Sequence, residues 1–156
     1  MKISIRKGLG FGLTSGIITT LGLIVGINSG THSKTLVIYS ILLIAIADSL
    51  SDSLGIHVSE EAGSKKTSKK ELWESTFATL FFKLLFTLSF IVIIFFLELN
   101  MAVIVSIIYG LLLLAFFSYY ISKKRGANPL KAILEHVIIA IVVVAITHSL
   151  GRFFQV

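Results

Sequence analysis

Apolar residues run through this chain in five long stretches, approximately 8–28, 35–57, 73–97, 101–122 and 130–150, separated by short polar connections. At 1.5 Å of rise per residue each stretch is long enough, as a helix, to cross a hydrocarbon core of roughly 30 Å. The pattern predicts an all-α integral membrane protein, a bundle of five transmembrane helices in one membrane domain spanning 1–156. From Leu80 to Leu97 the only polar interruptions are Lys83, Thr87 and Ser89, and the next stretch follows after Glu98, Leu99 and Asn100. So short a link predicts an antiparallel hairpin. Pro129 falls at the start of the last stretch, where a proline in the first helical turn loses no hydrogen bond. The cytoplasmic connection, 58–72, holds the longest hydrophilic run, Val58 to Glu71. Ser68 and Glu71 within it have the spacing of a capping box that would open the third helix.

Charge orients the bundle. Lys2, Arg6 and Lys7 precede the first stretch, Lys65, Lys66, Lys69 and Lys70 lie between the second and third, and Lys123, Lys124, Arg125 and Lys131 lie between the fourth and fifth. All fall on one side, and the other side holds only Lys34 and Arg152. The positive-inside rule therefore places the N-terminus in the cytoplasm and the C-terminus outside. The same distribution accounts for the net charge of +6 without nucleic acid. A composition of 55% hydrophobic and 14% charged residues, with mean hydropathy +0.95, leaves too little polar surface for a water-soluble domain. The bilayer is the expected partner, and the cell membrane the expected location if the chain is prokaryotic. There is no cysteine, so disulfides, thiolate metal sites and cysteine nucleophiles are excluded. Any metal must bind through oxygen or imidazole.

The first stretch carries Gly8, Gly12 and Gly16 at i, i+4 and i+8, with Gly22 and Gly26 repeating the spacing. Such small-residue rows let helices approach closely, within one chain or across a dimer seam. Ionisable residues inside the spans mark the candidate chemistry, because they are expensive in hydrocarbon. Asp48 and Asp52 share a face of the second helix, among Ser49, Ser51 and Ser53. Counting from the cytoplasmic ends puts Asp52 roughly 7 Å deep, Asp48 roughly 13 Å, Lys83 roughly 15 Å, Ser15 roughly 10 Å, and Glu135 and His136 roughly 7 to 9 Å. These groups occupy one half-layer of the bundle. Lys83 can pair with Asp48, as a strut or as a coupling element, while nothing at the depth of Asp52 neutralises it except an incoming cation or proton. Glu60, Glu61 and His57 form either a solvated connector or a cation-collecting surface. Carboxylates with hydroxyls and an imidazole suit divalent first-row metals, and also protons. No His-Glu-x-x-His, no Gly-x-Ser-x-Gly and no resident cofactor motif suggests an enzyme.

The first helix reads Gly12-Leu-Thr-Ser-Gly-Ile-Ile-Thr-Thr-Leu-Gly-Leu-Ile-Val-Gly26. The second closes Leu50-Ser-Asp-Ser-Leu-Gly-Ile-His-Val-Ser-Glu60, and the last reads Ala145-Ile-Thr-His-Ser-Leu-Gly-Arg152. This resembles the vacuolar iron transporter family. The resemblance implies five helices and a homodimer with its pathway near the first and second helices. It also implies proton-driven export or sequestration of cytosolic ferrous iron or manganese. The aspartate that the family places in its first helix falls at Ser15, and its second-helix methionine falls at Asp52, so a carboxylate has moved to the neighbouring helix. The family's Glu-rich cytoplasmic domain has no counterpart in Val58 to Lys70. The resulting expectation is a transporter with Asp48 and Asp52 as metal or proton ligands and Glu60, Glu61 and His57 as further metal ligands. Ser15 and Glu135 are their neighbours, and Lys83 competes with the cation. The alternative is a non-transporting assembly protein whose buried charges specify helix packing.

Overall fold

The computed structural model describes residues 2–63 and 68–155, and every regular element in them is helical. The helices are α1 (Ile3–Thr31), α2 (Lys34–Gly63), α3 (Lys69–Phe96), α4 (Leu99–Lys124) and α5 (Pro129–Phe153). All five are long and apolar enough to cross a membrane. The expected connection 58–72 is therefore mostly helix: α2 runs on through Glu60 and Glu61 to Gly63, and α3 has begun by Lys69. The physical reason is that an apolar run ends where lipid ends, whereas intrahelical hydrogen bonding continues into water wherever propensity permits. Lys65 and Lys66 lie outside the described residues.

Local signals set the helix starts. Ser68 accepts from the amide of Glu71 while the Glu71 carboxylate accepts from the amide of Ser68, completing the capping box. Pro129 occupies the first turn of α5 behind Asn128, whose side chain accepts from the amides of Leu130 and Lys131. At the opposite end, the Lys34 ammonium donates to the carbonyls of Phe95 (3.0 Å) and Leu97 (2.8 Å), satisfying orphan acceptors where α3 ends. The α3–α4 hairpin is antiparallel, with Phe86 against Phe117 and Phe90 against Tyr109.

The organising helix is α1, which packs against each of the other four. Its glycines make this possible, and they serve two different neighbours. Gly8, Gly12 and Gly16 lie on α3, where an added Cβ would press on Ser75, Ala78, Thr79 and Lys83. Gly22, Gly26 and Gly30 lie on α5, against Val143, Thr147 and Gly151. Both glycine rows are filled within the chain, so they serve tight intramolecular packing. Leu13, Ile17, Leu21 and Ile24 of α1 are fully buried with Ile41, Phe90, Ile94 and Leu114 and form the apolar core. By contrast α5 buries only Ala140 and α2 only one narrow stripe, leaving broad apolar faces outward, as a bilayer requires.

Candidate functional site: a buried lysine between two carboxylates

Polarity inside the bundle concentrates on the α1–α2–α3 side. On α3, Ser75, Thr76, Thr79, Lys83 and Thr87 are all buried. Four of them, Ser75, Thr79, Lys83 and Thr87, recur every fourth residue and so form one row along the helix. The glycines of α1 bring its backbone onto that row. Thr79 donates to the carbonyl of Ser75 (2.9 Å), and Thr20 of α1 donates to the carbonyl of Gly16 (2.5 Å), so these hydroxyl protons are held by the helices themselves.

Lys83 is the centre of the cluster and is only 1% exposed. Its ammonium contacts the carboxylate of Asp52, donates to the Ser15 hydroxyl at 3.0 Å, and lies 2.6 Å from Oδ2 of Asp48. Ser15 in turn donates to the Asp52 carboxylate at 2.6 Å. Oδ2 of Asp48 makes no hydrogen bond despite its short distance to the ammonium, so that attraction is Coulombic. The side chains of Asp48 and Asp52 keep 31% and 23% of their surface accessible, which places the carboxylates in front of the lysine. Ser49, adjacent to Asp48, is fully buried and its hydroxyl has no partner. Four residues along the same helical rows from Ser15, Asp52 and Lys83 lie Thr19, Asp48 and Thr87; four further the chain offers Leu23, Ile44 and Ile91, and the polar row ends there.

This arrangement corrects one expectation, since Asp52 is neutralised within the chain: Lys83 and Ser15 both serve it. The Lys83–Asp48 pair is present as expected, joined by a second carboxylate. Glu135 is exposed on α5, a helix that packs on α1 and α4, whereas the carboxylate cluster lies on α2. Nearer the basic end, Glu60 accepts from Ser75 (2.7 Å) and pairs with Lys7 (3.0 Å), and His57 Nδ1 meets the Thr76 hydroxyl at 3.0 Å beneath the Trp73 ring. Glu61 is exposed. The five expected metal ligands are thus spread along α2, and among the described residues no three His, Asp or Glu side chains gather as a ready cage. Two of the other three histidines have hydroxyl partners, His136 meeting Ser118 at 2.8 Å and His148 meeting Ser29 at 2.6 Å, while His32 meets the Gln155 amide at 3.3 Å. Sequence reading missed Ser75, Thr76 and Thr79, although their spacing with Lys83 was visible.

Five apolar helices carrying a buried ammonium faced by two part-exposed carboxylates and a hydroxyl define a multi-pass membrane protein with a polar cluster of the sort a cation pathway uses. The chain belongs to the VIT family, the vacuolar iron transporters, whose family model matches residues 52–152. That membership points to metal-ion transport. Comparison with curated proteins finds no match for the chain. The matched stretch opens at Asp52 and takes in α3, α4 and nearly all of α5, while the α1 motif and Ser15 precede it. In the fold Ser15 and Asp52 touch, so the α1 position singled out by the resemblance borders the α2 carboxylate.

Proposed function

We propose that the protein is a proton-coupled transporter of divalent first-row cations, ferrous iron or manganese. In this reading the basic end faces the cytoplasm, and export or sequestration of cytosolic metal is the physiological direction. The observation that carries this reading is the place of the Lys83 ammonium. Two carboxylates and a hydroxyl surround it, which is the oxygen donor set that a hard divalent cation takes, with water completing its shell. The chain supplies its own cation when no metal is bound.

Charge supports the exchange. With all three groups ionised the cluster carries one net negative charge, and a divalent cation held by both carboxylates makes it neutral once Lys83 gives up its proton. A proton on the carboxylates does the same for the empty state, and it must leave when metal arrives. Both forms are then tolerable at membrane depth, and the alternation couples metal to protons. Asp48 and Asp52 retain accessible surface at a depth where lipid solvates charge poorly. A homodimer seated across α1 and α2, as family membership suggests, would roof them. Such a dimer uses another face than the glycine rows, which are occupied within the chain.

A second reading has its own support, because Lys83 already pairs with both carboxylates and would serve equally as a strut in an assembly protein. Flux separates the two. Purified protein in liposomes with an imposed pH gradient is assayed metal by metal. Accumulation of manganese or iron that collapses with the gradient supports transport, and the absence of flux for every divalent cation overturns it in favour of assembly.

A further inference from the structure

The cluster around Lys83 has a counterpart eight residues away on each of three helices. In the deep layer α1 contributes Ser15, α2 contributes Asp52 and α3 contributes Lys83. Nearer the basic end α1 contributes Lys7, α2 contributes Glu60 and α3 contributes Ser75. Each layer therefore holds a carboxylate from α2, one hydroxyl and one ammonium, with the hydroxyl and ammonium exchanged between α1 and α3. The contacts match as well: hydroxyl to carboxylate is 2.6 Å for Ser15–Asp52 and 2.7 Å for Ser75–Glu60, and each carboxylate bonds its layer's lysine. Two steps of four residues on three aligned helices separate the layers by about 12 Å.

The upper layer is built into the bundle. Ser75 is fully buried and the Glu60 side chain is 12% exposed; the neighbouring set of Lys2, Ser4 and Glu74 has the same make-up but is somewhat more open, with Glu74 at 20% and Lys2 at 61%. Lys7 is the loose member at 54% exposure, so its ammonium can move into water without being stranded in apolar surroundings. Between the layers α3 presents Thr76 and Thr79, whose protons are donated to helix carbonyls at 2.8 and 2.9 Å, leaving their oxygens as acceptors. Gly8 and Gly12 press the α1 backbone onto α3 and close that seam. The polar wall left to a moving ion is the α2 side, where Ser53 and His57 sit.

Building on the transport reading above, we infer that Glu60 and Ser75 form a mouth site for a divalent cation, loaded by displacing the Lys7 ammonium. From it the ion passes about 12 Å inward to Asp48 and Asp52, where it displaces Lys83. The mobile lysine guards the shallow site and the buried lysine guards the deep one, so the shallow site fills first.

Manganese binding, counted by electron paramagnetic resonance on the whole chain in nanodiscs of uncharged lipid, tests this without requiring flux. Wild type is expected to bind two manganese ions per chain. Glu60→Gln keeps an acceptor for Ser75 and is expected to lose one ion, and Asp52→Asn to lose the other. Lys7→Gln removes the competitor and is expected to tighten the mouth site about tenfold, the scale of one charge-assisted contact. Unchanged stoichiometry in Glu60→Gln together with unchanged affinity in Lys7→Gln overturns the mouth site. If Glu60→Gln does not fold, Lys7→Gln decides alone: lower thermal stability without tighter binding marks Lys7–Glu60 as a strut and overturns the inference. Loss of one ion in Glu60→Gln with both retained in Asp52→Asn upholds the mouth site and instead refutes the deep site proposed above.

Discussion

Replacing Lys83 with methionine separates a cation site from a strut. Methionine fills a similar volume without charge, so Asp48 and Asp52 lose the ammonium that both contact. Because their oxygens met one nitrogen, they lie within about 5 Å of each other, and two unit charges at that distance repel by about 3 kcal/mol at an effective dielectric constant of about 20. Breaking a buried ion pair from one side costs about 3–5 kcal/mol in other proteins, a range consistent with that figure. If the carboxylates form a cation site, manganese should now enter without displacing anything. At a hundred times its dissociation constant it restores about 2.7 kcal/mol, or about 5 to 10 °C in Tm for a chain of this size. Thermal unfolding in detergent, with and without manganese, reads this directly. Wild type should gain less from this site, because the ion must first expel the ammonium, and Lys83→Met/Asp52→Asn should keep only the gain from the Glu60 mouth site, which a Glu60→Gln background removes. A Lys83→Met protein that is destabilised yet indifferent to manganese would refute the site and support the strut.

The α1–α3 seam makes a steric prediction. A Cβ at Gly12 would lie 2.6 Å from the Thr79 carbonyl oxygen, a contact relieved only by moving the helices apart. Gly12→Ala should cost about 1–3 kcal/mol in stability and weaken manganese binding, since Ser15 and Lys83 flank that contact. Gly55→Ala, with nothing within 4 Å, should leave both unchanged or raise stability slightly, and equal behaviour of the two variants would contradict the packing described. At the aqueous start of α3, hydrogen bonds from the Ser68 amide and hydroxyl hold the Glu71 carboxyl below its ordinary value of 4.5. The cap's contribution is therefore complete above about pH 4.5 and is lost as pH falls through the depressed value in the folded chain. Amide exchange in the first turn of α3 should accelerate, relative to the intrinsic rate, only below that pH, and Glu71→Gln should abolish the transition.

Local signals in the sequence carried the helix count, the capping box at Ser68 and the proline start at Pro129, because each depends on a few adjacent residues. The polar half-layer was legible as well, since Asp48, Asp52 and Lys83 interrupt apolar runs. Depth was less so. Counting from the ends of the apolar runs left Asp52 well short of Lys83. Yet α2 continues to Gly63 and α3 begins at Lys69, so from the true helix ends Asp52 lies roughly 16 Å and Lys83 roughly 21 Å in. The extended lysine side chain spans that difference. Glu135 falls in the same half-layer when counted from the apolar runs but belongs to α5, and depth along a helix carries no information about which helices are neighbours. The register relating Ser15, Asp52 and Lys83 to Lys7, Glu60 and Ser75 needed the three-helix packing before its eight-residue spacing had meaning.

Flux through Asp52→Asn is the most direct test of a cation pathway at the Lys83 cluster. Wild-type protein and the variant, matched in oligomeric state and reconstituted into liposomes with the same pH gradient, are compared for manganese and iron uptake. The account predicts gradient-driven flux in wild type and none in Asp52→Asn, with assembly intact. Equal flux in the two proteins would contradict it.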